Sequence, residues 1–82
     1  MFYAYVIQSL IDPLYFYKGH CQNLDERLSE HNYKMTKSNK HKAPFKVVYF
    51  ESLETLSEAL VREKYFKTSA GRRFLKLKIS EL

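Results

Sequence analysis

The stretch Phe2 to Ser9 (FYAYVIQS) constrains the fold of this chain more than any other. Its aromatic and β-branched residues make it a strand. Side chains alternate along a strand, so Tyr3, Tyr5 and Ile7 share one face and Phe2, Ala4 and Val6 the other. Both faces are apolar. Such a strand belongs in the middle of a sheet with cover on both sides. A chain of 82 residues then has room for one domain, residues 1–82, with a small core.

The elements that supply the cover can be read in order. Leu10 to Leu14, with Asp12-Pro13, is a hairpin turn. Tyr15 to Gly19 (YFYKG) is a second strand, expected to end where Gly19 turns the backbone. Asn23 with Glu26 three residues on is an N-cap signature, and the helix should run from about Leu24 to Asn32. Leu24 and Leu28 mark its buried side, and Arg27 and His31, one turn apart, border it. Tyr33 to Lys46 carries Lys34, Lys37, Lys40, Lys42 and Lys46 with no acid among them and reads as a loop. Phe45 to Glu51 is the third strand. Thr55 with Glu58 is a capping box for a helix ending near Thr68, with Leu56, Ala59, Leu60, Phe66 and the stem of Lys67 as its buried stripe. A last helix from about Ala70 packs Phe74 and Leu75 and turns Arg72, Arg73, Lys76 and Lys78 outward. The order is β-β-α-β-α-α, an α+β fold with a small, mainly antiparallel three-stranded sheet flanked by helices.

Composition narrows the partners. A formal charge of +5 favours a polyanion. The single Cys21 cannot form an internal disulfide, which suits a reducing cytoplasm. No apolar run reaches membrane-spanning length, and Met1-Phe2-Tyr3 lacks a basic leader, so neither membrane insertion nor a signal peptide is expected.

Several residues can carry chemistry, each beside a plainer role. Glu63 falls on the apolar stripe of the second long helix, where a carboxylate is costly unless it is paired or binds a metal. A nearby Arg could equally be its partner. Arg27 is an ordinary exposed helix residue or, with His31 one turn away, a guanidinium fork for a phosphate. Tyr5 and Tyr17 are core aromatics or hydroxyls aimed at a site. His31 either caps its helix as a cation or transfers protons. His20 ranks below it as an aid to a site. His41 is a phosphate contact, and Gly19 lets the backbone turn and lets a nucleic acid approach without a Cβ in the way.

These residues carry a resemblance. Tyr3-Ala4-Tyr5, Tyr17-Lys18-Gly19, Asn23-Leu24-Asp25-Glu26-Arg27-Leu28 with His31-Asn32, and Glu58 to Lys67 (EALVREKYFK) together resemble the GIY-YIG nuclease motif, in order and spacing. Within that superfamily the chain is similar to small stand-alone members and to the nuclease module of the excision-repair C subunit, which brings DNA repair into view. The resemblance implies the GIY-YIG fold and a metal-dependent DNA endonuclease that hydrolyses a phosphodiester by water attack. It implies that Glu63 holds Mg²⁺ or Mn²⁺, that Arg27 stabilises charge on the phosphate, and that Tyr5, Tyr17 and His31 manage the water and its proton. Around them, Gly19, His20, Lys34, Lys37, Lys40, His41, Lys42, Arg72 and Arg73 form the expected nucleic-acid contacts, the substrate being branched, nicked or single-stranded DNA. The alternative is a nucleic-acid-binding module with this fold and little turnover. Three departures stand out: Lys18 in the middle of the second triplet, Cys21 where Thr is common, and no counterpart in Ser69 to Arg73 of the Asn that larger relatives carry.

Overall fold

A computed structural model of the protein describes residues 1–33 and 39–80. Its elements are β1 (Phe2–Ser9), β2 (Phe16–Cys21), α1 (Leu24–Asn32), a 3-10 turn (Lys40–Lys42), β3 (Phe45–Leu53), α2 (Leu56–Phe66) and α3 (Ser69–Ser80). The three strands form one antiparallel sheet in the order β2-β1-β3, so the doubly apolar strand is central, as its pattern requires. The β-β-α-β-α-α order agrees with the sequence reading.

Each face of β1 has its own core. Tyr5 and Ile7 pack with Cys21, Ala43 and Phe45, against Tyr17, Leu24 and Leu28 on the α1 side. Ala4 and Val6 pack with Phe66 and Leu75, against Phe16, Tyr49 and Phe74 on the α2/α3 side. Burying a ring such as Phe66 completely is worth about 1.5–3 kcal/mol, so a few such contacts decide the stability of a domain this size.

The register of β1 against β3 slips between Val6, opposite Tyr49, and Ile7, opposite Val47. Val48 is the extra residue of a β-bulge. The bulge puts Val48 and Tyr49 on the same core although they are consecutive.

Helix starts follow their caps. Asn23 accepts the Glu26 N–H at 3.0 Å, but Glu26 does not return the bond, so only half of that expected box forms. Thr55 and Glu58 make the full reciprocal box. At the α2/α3 corner Thr68 Oγ1 accepts the Gly71 N–H at 3.0 Å, and a Cβ on Gly71 would collide with the Tyr65 carbonyl oxygen.

Two expectations need correction. β2 does not end at Gly19: the strand continues to Cys21, with Gly19 paired opposite Tyr5. The buried stripe of α2 is also rotated. Leu56 and Leu60 are exposed, and the sheet-facing residues are Ala59, Arg62, Glu63 and Phe66. Arg62 can occupy that face because it forks onto Glu51 at 2.8 and 2.9 Å and lies over the rings of Tyr65, Phe66 and Phe74 at 4.7–5.4 Å.

Candidate active site

On the α1 side, strand alternation brings Tyr5 and Tyr17 to one face, and α1 lowers His31 onto them. The Tyr5 hydroxyl lies 3.0 Å from His31 Nε2, and the ring centres of Tyr17 and His31 are 5.0 Å apart. Tyr5 and His31 are each 1% exposed. On its other nitrogen, His31 Nδ1 is 3.3 Å from the amide oxygen of Asn39, which is itself completely buried. Burial pushes the His31 imidazole down from its ordinary value; Asn39 opposes that shift and the nearby Arg27 adds to it. Its ring nitrogens turn to Tyr5 and Asn39 rather than to the end of α1, where the Tyr33 N–H caps the carbonyls. Burial likewise pushes the Tyr5 phenol well up, partly offset by the guanidinium of Arg27 beside it.

Gly19 matters to this arrangement for a reason the sequence reading did not contain. A Cβ there would lie 2.5 Å from the Tyr5 hydroxyl oxygen and 2.7 Å from the carbon bearing it. Gly19 is thus the notch in β2 that seats the Tyr5 head group; no turn is involved, and no glycine adopts a positive φ.

The opposite face of β2 carries Lys18 and His20. His20 Nδ1 donates to Glu63 Oε1 at 2.7 Å, and Lys67 Nζ donates to Glu63 Oε2 at 3.0 Å. The Arg partner envisaged for Glu63 is not there; the pair is His20 and Lys67. Burial alone would raise the Glu63 carboxyl, but the bonds from His20 and Lys67 outweigh it and hold the carboxyl below its ordinary range. Arg27 lies on the other side of the strand, where its Nη1 donates to the His20 carbonyl at 3.3 Å and its Nε contacts Glu30 at 2.9 Å. The two halves of the site therefore meet at one residue of an edge strand. The His20 carbonyl faces Arg27, and the His20 imidazole faces Glu63.

Among the described residues no three His, Cys, Asp or Glu converge as metal ligands. That donor set suits only a hard cation that keeps most of its waters and takes one carboxylate, as Mg²⁺ does, and it does not suit a closed zinc site. Glu63 fits this limited role. Its side chain is 18% exposed, and the partner that would have to yield, Lys67, is 55% exposed.

The expected nucleic-acid contacts are scattered. Lys40 and His41 are exposed on the 3-10 turn, and Arg72 and Arg73 are exposed on α3. Arg72 flanks Lys18 across a groove of about 500 Å³. Lys42 is committed to Asp12 at 2.8 Å and lies over the Tyr15 ring, while its carbonyl accepts from Ser9 Oγ at 2.6 Å. It pins the turn to the β1–β2 loop. Lys34 and Lys37 lie outside the described residues.

Sequence reasoning missed Asn39, the pairing of Lys67 with Glu63, and the hold of Glu30 on Arg27. The i,i+3 and i,i+4 spacings of Arg27–Glu30 and Glu63–Lys67 were available signals. Asn39 sits in an aperiodic loop and offered none.

Comparison with known proteins places the chain in a family. Residues 1–76 match the GIY-YIG catalytic domain. A UPF0213 protein of Staphylococcus saprophyticus is 36% identical over 80 residues, covering 96% of this chain and 94% of its own. A UPF0213 protein of Clostridium perfringens is 35% identical over 78 residues, covering 94% of this chain and 82% of its own. No solved structure matches the chain. No described helix is long and apolar enough to cross a membrane. With the domain match spanning residues 1–76 and two relatives at 35–36% identity over nearly the whole chain, the chain belongs to the GIY-YIG nuclease superfamily.

Proposed function

We propose that this protein is a metal-dependent DNA endonuclease that hydrolyses a phosphodiester by water attack. The observation that supports the reading best is the convergence at His20, which sets the Glu63 carboxylate and the Arg27 guanidinium on either side of one exposed strand edge. Glu63 would hold a hydrated Mg²⁺ or Mn²⁺, which supplies Lewis-acid stabilisation of charge on the phosphate and the leaving oxygen. Arg27 exchanges its exposed contact with Glu30 for the phosphate, whose oxygens fit its planar fork. Tyr5, Tyr17 and His31 handle the attacking water and its proton. Exposed Lys40, His41, Arg72 and Arg73 add sequence-independent backbone contacts.

Conversion of supercoiled plasmid to nicked or linear forms on addition of Mg²⁺ or Mn²⁺, lost in Glu63→Gln, is the expected result. A second reading, a nucleic-acid-binding module with little turnover, draws on the resting pairs Glu63–Lys67 and Arg27–Glu30, which occupy both groups. Plasmid binding without metal-stimulated nicking would favour it.

A further inference from the structure

We infer that Asn39 is a positioning residue that fixes the proton acceptor of the site. Resting on the nuclease reading, this assigns His31 as the base that takes the Tyr5 proton. Two contacts on the ring nitrogens of a buried imidazole carry it, Tyr5 Oη at Nε2 and Asn39 Oδ1 at Nδ1. The Asn39 amide oxygen faces His31 Nδ1, and an oxygen can only accept, so Nδ1 carries the hydrogen. A neutral imidazole then has a bare Nε2, and the Tyr5 hydroxyl 3.0 Å away must donate to it. The chain is thus Tyr5 O–H to His31 Nε2, and His31 Nδ1–H to Asn39 Oδ1.

Among the described residues, no other group near the ring sets this orientation. The groups facing His31 are Tyr5 from β1, Tyr17 from β2, Arg27 and Glu30 from its own helix, and the apolar ring of Phe45. Of these, only the Tyr5 hydroxyl bonds a ring nitrogen, and a hydroxyl accepts as readily as it donates. Asn39 is what breaks the tie. Its Nδ2 has no partner among the described residues although it is completely buried.

The water oxygen bonds to phosphorus as the leaving P–O bond breaks. The water proton passes to the Tyr5 oxygen while the Tyr5 proton passes to His31 Nε2. The resulting imidazolium keeps its Nδ1–H on Asn39, and the departing alkoxide takes a proton from solvent water. His31 later returns its proton through Tyr5 to solvent. The Gly19 notch, free of a Cβ, brings the Tyr5 oxygen up to the edge of β2, next to Arg27.

The test is ¹⁵N NMR of the His31 ring in the metal-free protein, read beside single-turnover cleavage. Wild type should show the Nδ1–H tautomer. Asn39→Leu should lose that preference and cleave about 10² slower or worse, the scale of a lost general base, with DNA affinity unchanged. Asn39→Asp should keep the tautomer and much of the rate. Its carboxylate stabilises the imidazolium, so the acidic limb of the rate profile should move to higher pH. An Nε2–H tautomer in wild type overturns the inference, as does an unchanged ring in Asn39→Leu. If Asn39→Leu does not fold, Asn39→Asp decides alone, and an unmoved acidic limb overturns the proposal. The correct tautomer in a wild-type protein that cleaves nothing would instead overturn the nuclease reading and leave the positioning by Asn39 standing.

Discussion

Glu51 on β3 and Glu63 on α2 stand on the same face of the sheet, and they are held in opposite ways. Glu51 takes a bidentate guanidinium from Arg62 and a 2.6 Å hydrogen bond from the Tyr49 hydroxyl. Arg62 is in turn clamped over three aromatic rings, and burial beside Glu51 pushes the Tyr49 phenol up to about 12. Glu63 has a histidine and a mostly exposed lysine. Both carboxyls sit below their ordinary value of 4.5, so acidity alone does not distinguish them. Their partners do. The Arg62 fork is stacked, always charged and slow to leave. The Lys67 ammonium can swing into water at little cost. A carboxylate whose cation can leave fits the proposed metal role, and one locked by a stacked arginine fits a structural one.

The sharpest way to break that comparison is to neutralise each acid in turn. Glu63→Gln should abolish metal-dependent cleavage and leave the thermal midpoint nearly unchanged. Glu51→Gln should keep the specific activity of the folded fraction. Cleavage by Glu63→Gln, or loss of activity without loss of stability in Glu51→Gln, would reverse the assignment of the two carboxylates.

The same contrast holds for the two arginines. Arg27 pairs through an exposed contact with Glu30, whereas Arg62 is fixed on Glu51. Arg27 is proposed to act on charge that grows in the transition state, so its removal should lower turnover rather than affinity. Arg27→Ala and Arg27→Lys should each lose on the order of 10²–10³ in single-turnover rate, the lysine having charge but no fork. Binding to a cleavage-resistant DNA should change by less than about 1 kcal/mol. Equal losses in rate and affinity would make Arg27 a docking residue.

Stability and its pH dependence come next in size. Removing one partner of Glu51–Arg62 should cost about 1–2 kcal/mol, below the figure for a fully buried pair because both groups keep some exposure. The Glu51 pKa is lower in the folded than in the unfolded chain, so the unfolded state takes up the proton first as pH falls. The pair's contribution is therefore complete above the ordinary carboxyl value and is lost as pH drops through the lowered one. Denaturant titrations should show a flatter acid limb for Glu51→Gln than for wild type. Parallel limbs would mean that the pair contributes nothing.

These pairings also show what the sequence could reveal. The central strand, the capped starts of α1 and α2 and the element order were legible because two-faced apolarity and capping residues are local signals. The Val48 bulge was not, since a one-residue slip in pairing leaves no mark on composition. The α2 face was misread because Leu56 and Leu60 are more apolar than Arg62 and Glu63, while the aromatic platform that makes Arg62 an inward residue is assembled partly from α3. Tyr5, Tyr17, Arg27, His31 and Glu63 are proposed through their motif. Asn39 and the notch at Gly19 were invisible because their reasons are contacts between distant segments.

The smallest expected effect separates Lys40 from Lys42 on the one short turn both belong to. Lys40 is exposed, whereas Lys42 is spent on Asp12 and the Tyr15 ring. If the nucleic acid crosses this turn, the exposed ammonium releases a counterion on binding and the paired one does so only after leaving Asp12. Lys40→Ala should therefore reduce the slope of log affinity against log salt by about 1, the effect of one phosphate contact. Lys42→Ala should change that slope less and instead lower the thermal midpoint slightly, since the turn loses its tie to the β1–β2 loop. Asp12→Asn completes the comparison by freeing Lys42, and it should strengthen binding at low salt. Equal slope changes in the two lysine variants would show that bound nucleic acid breaks the Lys42–Asp12 pair. No change in either would place the nucleic-acid track elsewhere, with Arg72 and Arg73 on α3 as the next variants to titrate.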